Sequence, residues 1–170
     1  IRLRQGRKTR HRAELAFRRL RSASLSRMHP ERHLHAAAGA ADSAVIALYD
    51  IELKRLGVAG PDAAAVVAGA RRQLATGRQA VAAGRTMTNQ ALEAVQKNSA
   101  LGNDARRQLF LGLATYAQSF DVEDQVLEAL AAAVDDLAAG RPPGQELETI
   151  TALAAKRRHH ARRRLVIIRR

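Results

Sequence analysis

Residues 67–95, with the sequence VAGARRQLATGRQAVAAGRTMTNQALEAV, carry the longest helical pattern in the chain. Apolar or small residues recur there at spacings of three and four, which places them on one face of a helix. We call these nine positions the seam: Val67, Ala70, Leu74, Gly77, Val81, Gly84, Thr88, Ala91 and Val95. Gly77 and Gly84 each cost about 1 kcal/mol relative to Ala in a helix interior. Their place on the seam therefore predicts that a neighbouring backbone approaches the helix closely.

Two interpretations of residues 62–98 stay open at this point. In the first, the whole stretch is one helix, roughly 55 Å long at 1.5 Å per residue. In the second, the helix breaks within GRTMTN, where Gly84 ends one helix and Thr86 or Thr88 caps the next.

Helical patterns also flank the seam on both sides. Before it, one helix is predicted from Arg10 to about Met28, with apolar residues at Ala13, Ala16, Phe17, Leu20 and Leu25. A second helix begins at Pro30 and ends near Leu56, because proline suits the first helical position and Gly57 suits a C-terminus. Its inward face is predicted as Leu34, Ala38, Ala41, Val45, Leu48, Tyr49, Glu52 or Leu53, and Leu56.

After the seam, Asn103 or Asp104 is predicted to cap a helix that ends near Ser119. Asp121 then begins another helix, and a last one starts at about Gly144. The acids Asp121, Glu123 and Asp124 are interpreted as first-turn acids that oppose the helix dipole. The fold class is therefore an all-α bundle of five or six helices with short Gly/Pro turns, one long central helix being an option, and basic N- and C-terminal extensions.

Charge divides the 170-residue chain into three parts. The net charge of +13 arises from +9 in residues 1–35, −4 in the middle and +8 in residues 156–170. We therefore predict a basic arm at residues 1–9, a single helical domain at residues 10–155, and a basic extension at residues 156–170. Because guanidinium and ammonium groups pair with phosphate oxygens, the basic ends are candidate nucleic-acid contacts. The candidate residues are Arg2, Arg4, Arg7, Lys8, Arg10, Arg12, Arg18, Arg19, Arg21, Lys156, Arg157, Arg158, Arg162, Arg163, Arg164, Arg169 and Arg170.

The basic extension also contains four branched apolar residues, Leu165, Val166, Ile167 and Ile168. Exposed to water they are a liability, so we predict that they dock on a partner, either as an added strand or packed into another subunit.

Motifs for catalysis and for metal binding are weak. The chain has no cysteine, no Gly-rich phosphate loop and no nucleophile elbow. His29, Glu31, His33 and His35 are close in sequence, but their spacing fits a solvated helix start better than a zinc site. We expect no enzyme activity, no cofactor, no metal and no small-molecule substrate. The longest nearly apolar run is shorter than the roughly 20 residues that a bilayer requires, and no signal peptide is predicted, so localisation stays open.

Two functions follow as hypotheses. The first is a structural subunit of a nucleoprotein assembly, such as a ribosome-like particle or a virion, whose basic ends contact the RNA or DNA backbone without sequence specificity. The second is a helical scaffold that self-associates or docks on acidic proteins through the seam and residues 165–168. An anionic membrane is the less favoured partner.

Overall fold

The computed structural model describes residues 29–169, with side-chain surroundings for residues 29–160. Four α-helices account for nearly all of this part, and it contains no strand. They are α1 (Pro30–Arg55), α2 (Ala63–Lys97), α3 (Asn103–Ala138) and α4 (Gly144–Arg169). The all-α architecture is confirmed. The arm predicted at residues 1–9 and the helix predicted from Arg10 to Met28 lie outside the described residues.

Glycine ends α1 as the sequence predicts. Pro30 occupies the first turn, where its missing N–H has no intrahelical partner to lose. At the other end Gly57 adopts a φ of 82°, the left-handed conformation that favours glycine. The N–H of Gly57 donates to the Lys54 carbonyl, and the N–H of Val58 donates to that of Leu53, each at 3.0 Å. This is a Schellman motif, which satisfies the last carbonyls of the helix.

Local side chains and glycine also fix the ends of α2 and α3. The carboxylate of Asp62 accepts a hydrogen bond from the N–H of Ala65 at 3.0 Å and so caps α2. Gly140, with a φ of 73°, ends α3, and the N–H of Arg141 donates to the Asp136 carbonyl at 2.8 Å. The chain therefore reverses direction at short connections, which brings successive helices together as antiparallel neighbours.

The seam lies on one unbroken helix. All nine seam residues are buried, so their predicted shared face is confirmed and the continuous interpretation of this stretch holds. A Cβ on Gly84 would lie far inside van der Waals contact of the Phe120 ring, and a Cβ on Gly77 would lie 2.9 Å from the Ala40 Cβ and from a Leu127 methyl. At Gly84 the close approach is made by the Phe120 side chain, whereas at Gly77 it is made by the Cβ of Ala40, which is bonded directly to the α1 backbone, and by Leu127.

The two helices predicted on either side of Ser119 are one helix, α3. Asp121 does not begin a helix; it lies in the interior of α3, and its carboxylate binds Arg85 of α2. No glycine or proline occurs between Gly112 and Gly140, so nothing in the backbone chemistry ends the helix there. The described part holds four helices and not the predicted five or six, because these two predicted helices are one and because residues 10–28 lie outside the described part. The residue before α3 is Gly102, so neither Asn103 nor Asp104 is its N-cap.

The inward face of α1 differs in part from the predicted one. Leu34, Ala41 and Leu48 are buried as expected. The rest of the buried face consists of Ala37, Ala40, Ala44, Ala47 and Ile51, whereas Tyr49, Leu53 and Leu56 are exposed. Alanine occurs on both sides of this helix, so the sequence alone does not identify the buried face, and larger apolar residues lie outside it.

Helices α1, α2 and α3 pack against one another, and α4 packs mainly against α3. Their common core is built from alanines of α1, the seam of α2, and large residues of α3; the most deeply buried large side chains are Phe120, Leu127, Leu130, Val81, Val95, Val134 and Thr88. In the isolated chain the backbone of residues 165–168 continues α4 as a helix, not as a strand. Docking of these four side chains on a partner stays a prediction.

Candidate nucleic-acid interface

The basic C-terminal sequence forms the second half of α4. The helix passes through the predicted boundary at residues 155–156 without a break and continues to residue 169. Residues 156–169 hold one lysine and six arginines and no acidic residue. Among the side chains described here, Lys156, Arg158 and His159 are exposed. This half of α4 therefore presents cations on a preformed helix.

Arg157 differs from its cationic neighbours because it points into the protein. Its Nε donates to Oε1 of Glu123 at 2.6 Å, and its Nη1 donates to Oδ1 of Asp42 at 3.2 Å. The Glu123 side chain is only 4% exposed, whereas the Asp42 side chain is 70% exposed. One guanidinium thus joins α4 to α3 and to α1.

The surroundings of Arg157 keep it charged. Burial disfavours the guanidinium cation, but the attraction and hydrogen bonds of Glu123 and Asp42 outweigh burial, and the pKa of Arg157 is raised. The guanidinium donors that face inward are occupied by carboxylates. We therefore assign Arg157 to anchoring α4, and the candidate phosphate contacts on this helix are the cations around it.

A small polar cavity lies beside the Arg157–Glu123 pair. Ser119, Val122 and His160 complete the lining of a cavity of about 10 Å³ beside the pair. The Ser119 hydroxyl donates to the Thr115 carbonyl within α3. A cavity of this volume holds about one water molecule. No substrate of ordinary size fits in it.

Four further acids of α3 bind cations of α2 or of the turn that follows α3: Asp121, Asp124, Asp135 and Asp136. Arg85 donates to Asp121 at 2.7 Å and to Asp124 at 2.8 Å, and Arg71 donates to Asp135 at 2.8 Å. Although partial burial opposes it, hydrogen bonding to the two aspartates raises the pKa of Arg85. The acids that the sequence assigned to a helix start are therefore cross-links between neighbouring helices.

The histidine cluster lies at the start of α1, where His29 occupies the N-cap position without a side-chain capping hydrogen bond. His29 immediately precedes the helix, and its Nδ1 lies 2.8 Å from Oε1 of Glu31. His33 is partly exposed and His35 is exposed. Across the part of the chain that the structure describes, no three His, Asp or Glu side chains are placed to hold a metal ion.

The other candidate cations lie beyond the described side chains. Those of the N-terminal segment are Arg2, Arg4, Arg7, Lys8, Arg10, Arg12, Arg18, Arg19 and Arg21. Arg162, Arg163, Arg164 and Arg169 lie on the helical backbone of α4, and Arg170 follows it. Lys156 and Arg158 are thus both exposed, on different sides of α4, whereas Arg157 between them is held in ion pairs within the protein.

Sequence reasoning missed Glu123 and Asp42 as partners of Arg157. A signal for Glu123 was present, because it follows Phe120 by three residues and precedes Leu127 by four, the spacing of one buried helix face. A buried carboxylate requires a cation. No local pattern identifies which of the chain's 29 cationic residues supplies it.

No family model, curated protein or solved structure matches this chain. Among the helices between residues 29 and 169, none combines the length with the apolar character needed to cross a bilayer.

Proposed function

We propose that this chain is a non-enzymatic subunit of a nucleoprotein assembly. Its helical body packs on protein, and its arginine-rich ends contact the phosphates of RNA or DNA without reading sequence. The observation that carries the proposal is that α4 extends as one helix to residue 169 and exposes Lys156 and Arg158 on either side of the anchored Arg157.

A preformed cationic helix suits the phosphate backbone. An α-helix fits the major groove of B-DNA, and cations on its surface replace condensed counterions at the phosphates. The anchor matters because it links α4 to α3 and to α1 before any partner binds. Binding then does not carry the entropic cost of ordering this helix.

The scaffold alternative relied on two surfaces, the seam and residues 165–168, and the first of these is buried within the chain. All nine seam residues are buried against helices of the same chain, so the seam does not offer a face to another protein. That alternative now depends on residues 165–168 and on apolar side chains of α1. An anionic membrane stays the weaker candidate partner.

Fluorescence anisotropy on the full chain tests the proposal. The probes are labelled RNA and DNA duplexes of two unrelated sequences, titrated in salt from about 50 to 200 mM. If six to ten phosphates are contacted, affinity falls by about a thousandfold or more over this range. Affinity that is insensitive to salt, or that depends strongly on base sequence, contradicts the proposal.

A matched pair of double variants locates the interface. K156Q/R158Q removes two exposed cations from α4, and R72Q/R78Q removes two exposed cations from α2. Because both doubles lower the net charge by two, only a local contact distinguishes them. We expect K156Q/R158Q to weaken binding and to reduce the salt slope by about two contacts, and R72Q/R78Q to have little effect. Equal losses would assign binding to overall charge alone.

A further inference from the structure

The last three turns of α1, together with its C-cap residue, expose a row of large apolar side chains on the side opposite the packed face. We call Ile46, Tyr49, Leu53 and Leu56 the apolar row; they are 63%, 69%, 47% and 65% exposed. Their spacings of three, four and three are those of the a and d positions of a coiled coil, which all face one partner helix. Single exposed apolar residues are ordinary on protein surfaces, but a contiguous row marks an interaction surface.

The area of the apolar row is sufficient for a small interface between two copies of the chain. Val58, which is 48% exposed, extends the row beyond the helix. The five side chains present roughly 500 Å², near the upper end of what a typical monomer exposes in one patch. Two such patches placed face to face bury roughly 1,000 Å² in total, the lower limit for a specific protein–protein interface. Tyr49, the most exposed member, belongs to the residue types that most often anchor such contacts.

The charges around the apolar row favour a second copy over an anionic partner. Residues 46–58 contain Asp50, Glu52, Lys54 and Arg55, so this stretch has no net charge in a chain whose total is +13. Nucleic acids and anionic membranes select surfaces with an excess of cations, which this stretch lacks. Two copies can meet at a neutral surface without bringing an excess of one charge together.

We propose that the apolar row is a dimer interface, in which α1 of one copy packs antiparallel to α1 of a second copy about a two-fold axis near residue 52. Asp50 and Lys54 are four residues apart, so they flank the row on the same side. In the antiparallel arrangement Asp50 lies at the level of Lys54 of the second copy. The two-fold symmetry makes this pair of opposite charges twice.

The direction of packing follows from the same two charges. A parallel pair would place Asp50 beside Asp50 of the second copy and Lys54 beside Lys54, so like charges would meet. The antiparallel pair brings opposite charges together, and it sets Tyr49 between the levels of Leu53 and Leu56 of the second copy. Because a contact of this kind uses the same surface on both copies, it closes after two. We therefore expect a dimer and no larger array.

Sedimentation velocity on the nuclease-treated full chain in high salt tests the proposal. High salt releases bound nucleic acid and leaves an apolar contact intact, so the result is independent of the proposed function. We expect a monomer–dimer equilibrium with a dissociation constant in the micromolar range, because the interface is small. A chain that stays monomeric up to millimolar concentration overturns the proposal and leaves the row to another segment of the chain or to a different protein.

Two double variants locate the contact. Y49S/L53S removes two members of the apolar row, and L111S/L147S removes two leucines of α3 and α4 that are 55% and 48% exposed. We expect Y49S/L53S to raise the dissociation constant about tenfold or more, and L111S/L147S to leave it unchanged. Far-UV circular dichroism verifies that both variants keep their helices. Equal effects of the two variants, or a dimer that survives Y49S/L53S, overturn the proposal.

Charge reversal tests the antiparallel register. At moderate salt, D50K places a lysine opposite Lys54 of the second copy, and K54D places an aspartate opposite Asp50, so each should weaken the dimer several-fold. D50K/K54D restores opposite charges and the original net charge, so it should recover the affinity. Overall charge predicts a different pattern, because K54D makes the chain less positive and would then strengthen association. A double variant that fails to recover affinity overturns the antiparallel dimer.

Discussion

Arg157 on α4 donates from Nε to Oε1 of Glu123 on α3 across 2.6 Å, and this contact ties the basic half of α4 to the helical body. The carboxylate is buried, so its charge depends more on Arg157 than on solvent. The bond to Asp42 extends the link to α1. Arg157 therefore reinforces the packing of α4 that Leu153 and Ile150 provide in the core.

R157L should destabilise the protein by about 3 kcal/mol, because it leaves the Glu123 carboxylate buried without its cation. Chemical denaturation measured by far-UV circular dichroism would give the free energy of unfolding. R71L is the matched control, since Arg71 binds Asp135 in a pair whose side chains are 60% and 58% exposed. We expect R71L to change stability by less than about 1 kcal/mol.

The double variant E123L/R157L should be more stable than R157L alone. Removing both members of the pair removes the buried carboxylate that R157L deprives of its guanidinium, and it leaves apolar side chains between α3 and α4. Comparison of the four proteins in a double-mutant cycle isolates the coupling between the two residues. Additive effects of the two substitutions would show that Glu123 does not depend on Arg157.

G84A should be among the most destabilising single-methyl changes in this protein. The new Cβ would lie 2.8 Å from Phe120 Cε2 and would overlap Cζ and Cε1, and the ring is completely buried. Overpacking of this kind costs typically about 1 to 3 kcal/mol, which exceeds the gain in helix propensity. Thermal unfolding measures the loss. In an F120L background the steric conflict is smaller, and G84A should be tolerated better there.

The parts of the fold that the sequence predicts are those that local chemistry controls. The seam is recognisable because Val67, Leu74 and Val81 stand at regular spacing among polar residues. The end of α1 is recognisable because Gly57 supplies a conformation that other residues avoid. Both features are properties of short segments, and neither needs knowledge of a partner helix.

The failures of sequence reasoning have a common physical cause in pairing over long sequence distances. Asp121 and Asp124 resemble the acids of a helix start, but they are held by Arg85, which lies more than 35 residues away. On α1, alanines lie on several sides of the helix, so the identity of the buried face is decided by how closely α2 and α3 approach. The anchoring role of Arg157 likewise depends on Glu123, 34 residues earlier.

D62A should weaken the start of α2 by about 1 kcal/mol, because the N–H of Ala65 loses its side-chain acceptor. D104A is the comparison, since Asp104 is an exposed first-turn acid of α3 that does not occupy the cap position. We expect D104A to have a smaller effect, limited to its interaction with the helix dipole. Thermal unfolding of the two variants side by side measures this difference, and equal losses would argue against a specific cap at Asp62.

D121P distinguishes one continuous α3 from two shorter helices. Proline is accepted at the first position of a helix but costs about 3 kcal/mol or more in a helix interior, where it removes a hydrogen bond and clashes with the preceding turn. Because α3 runs unbroken through this position, we expect D121P to destabilise the protein by that amount beyond the loss measured for D121A. D121A is the necessary control, since it removes the same contact to Arg85 and leaves the backbone intact. If D121P and D121A unfolded at the same denaturant concentration, a helix boundary would lie at residue 121 after all.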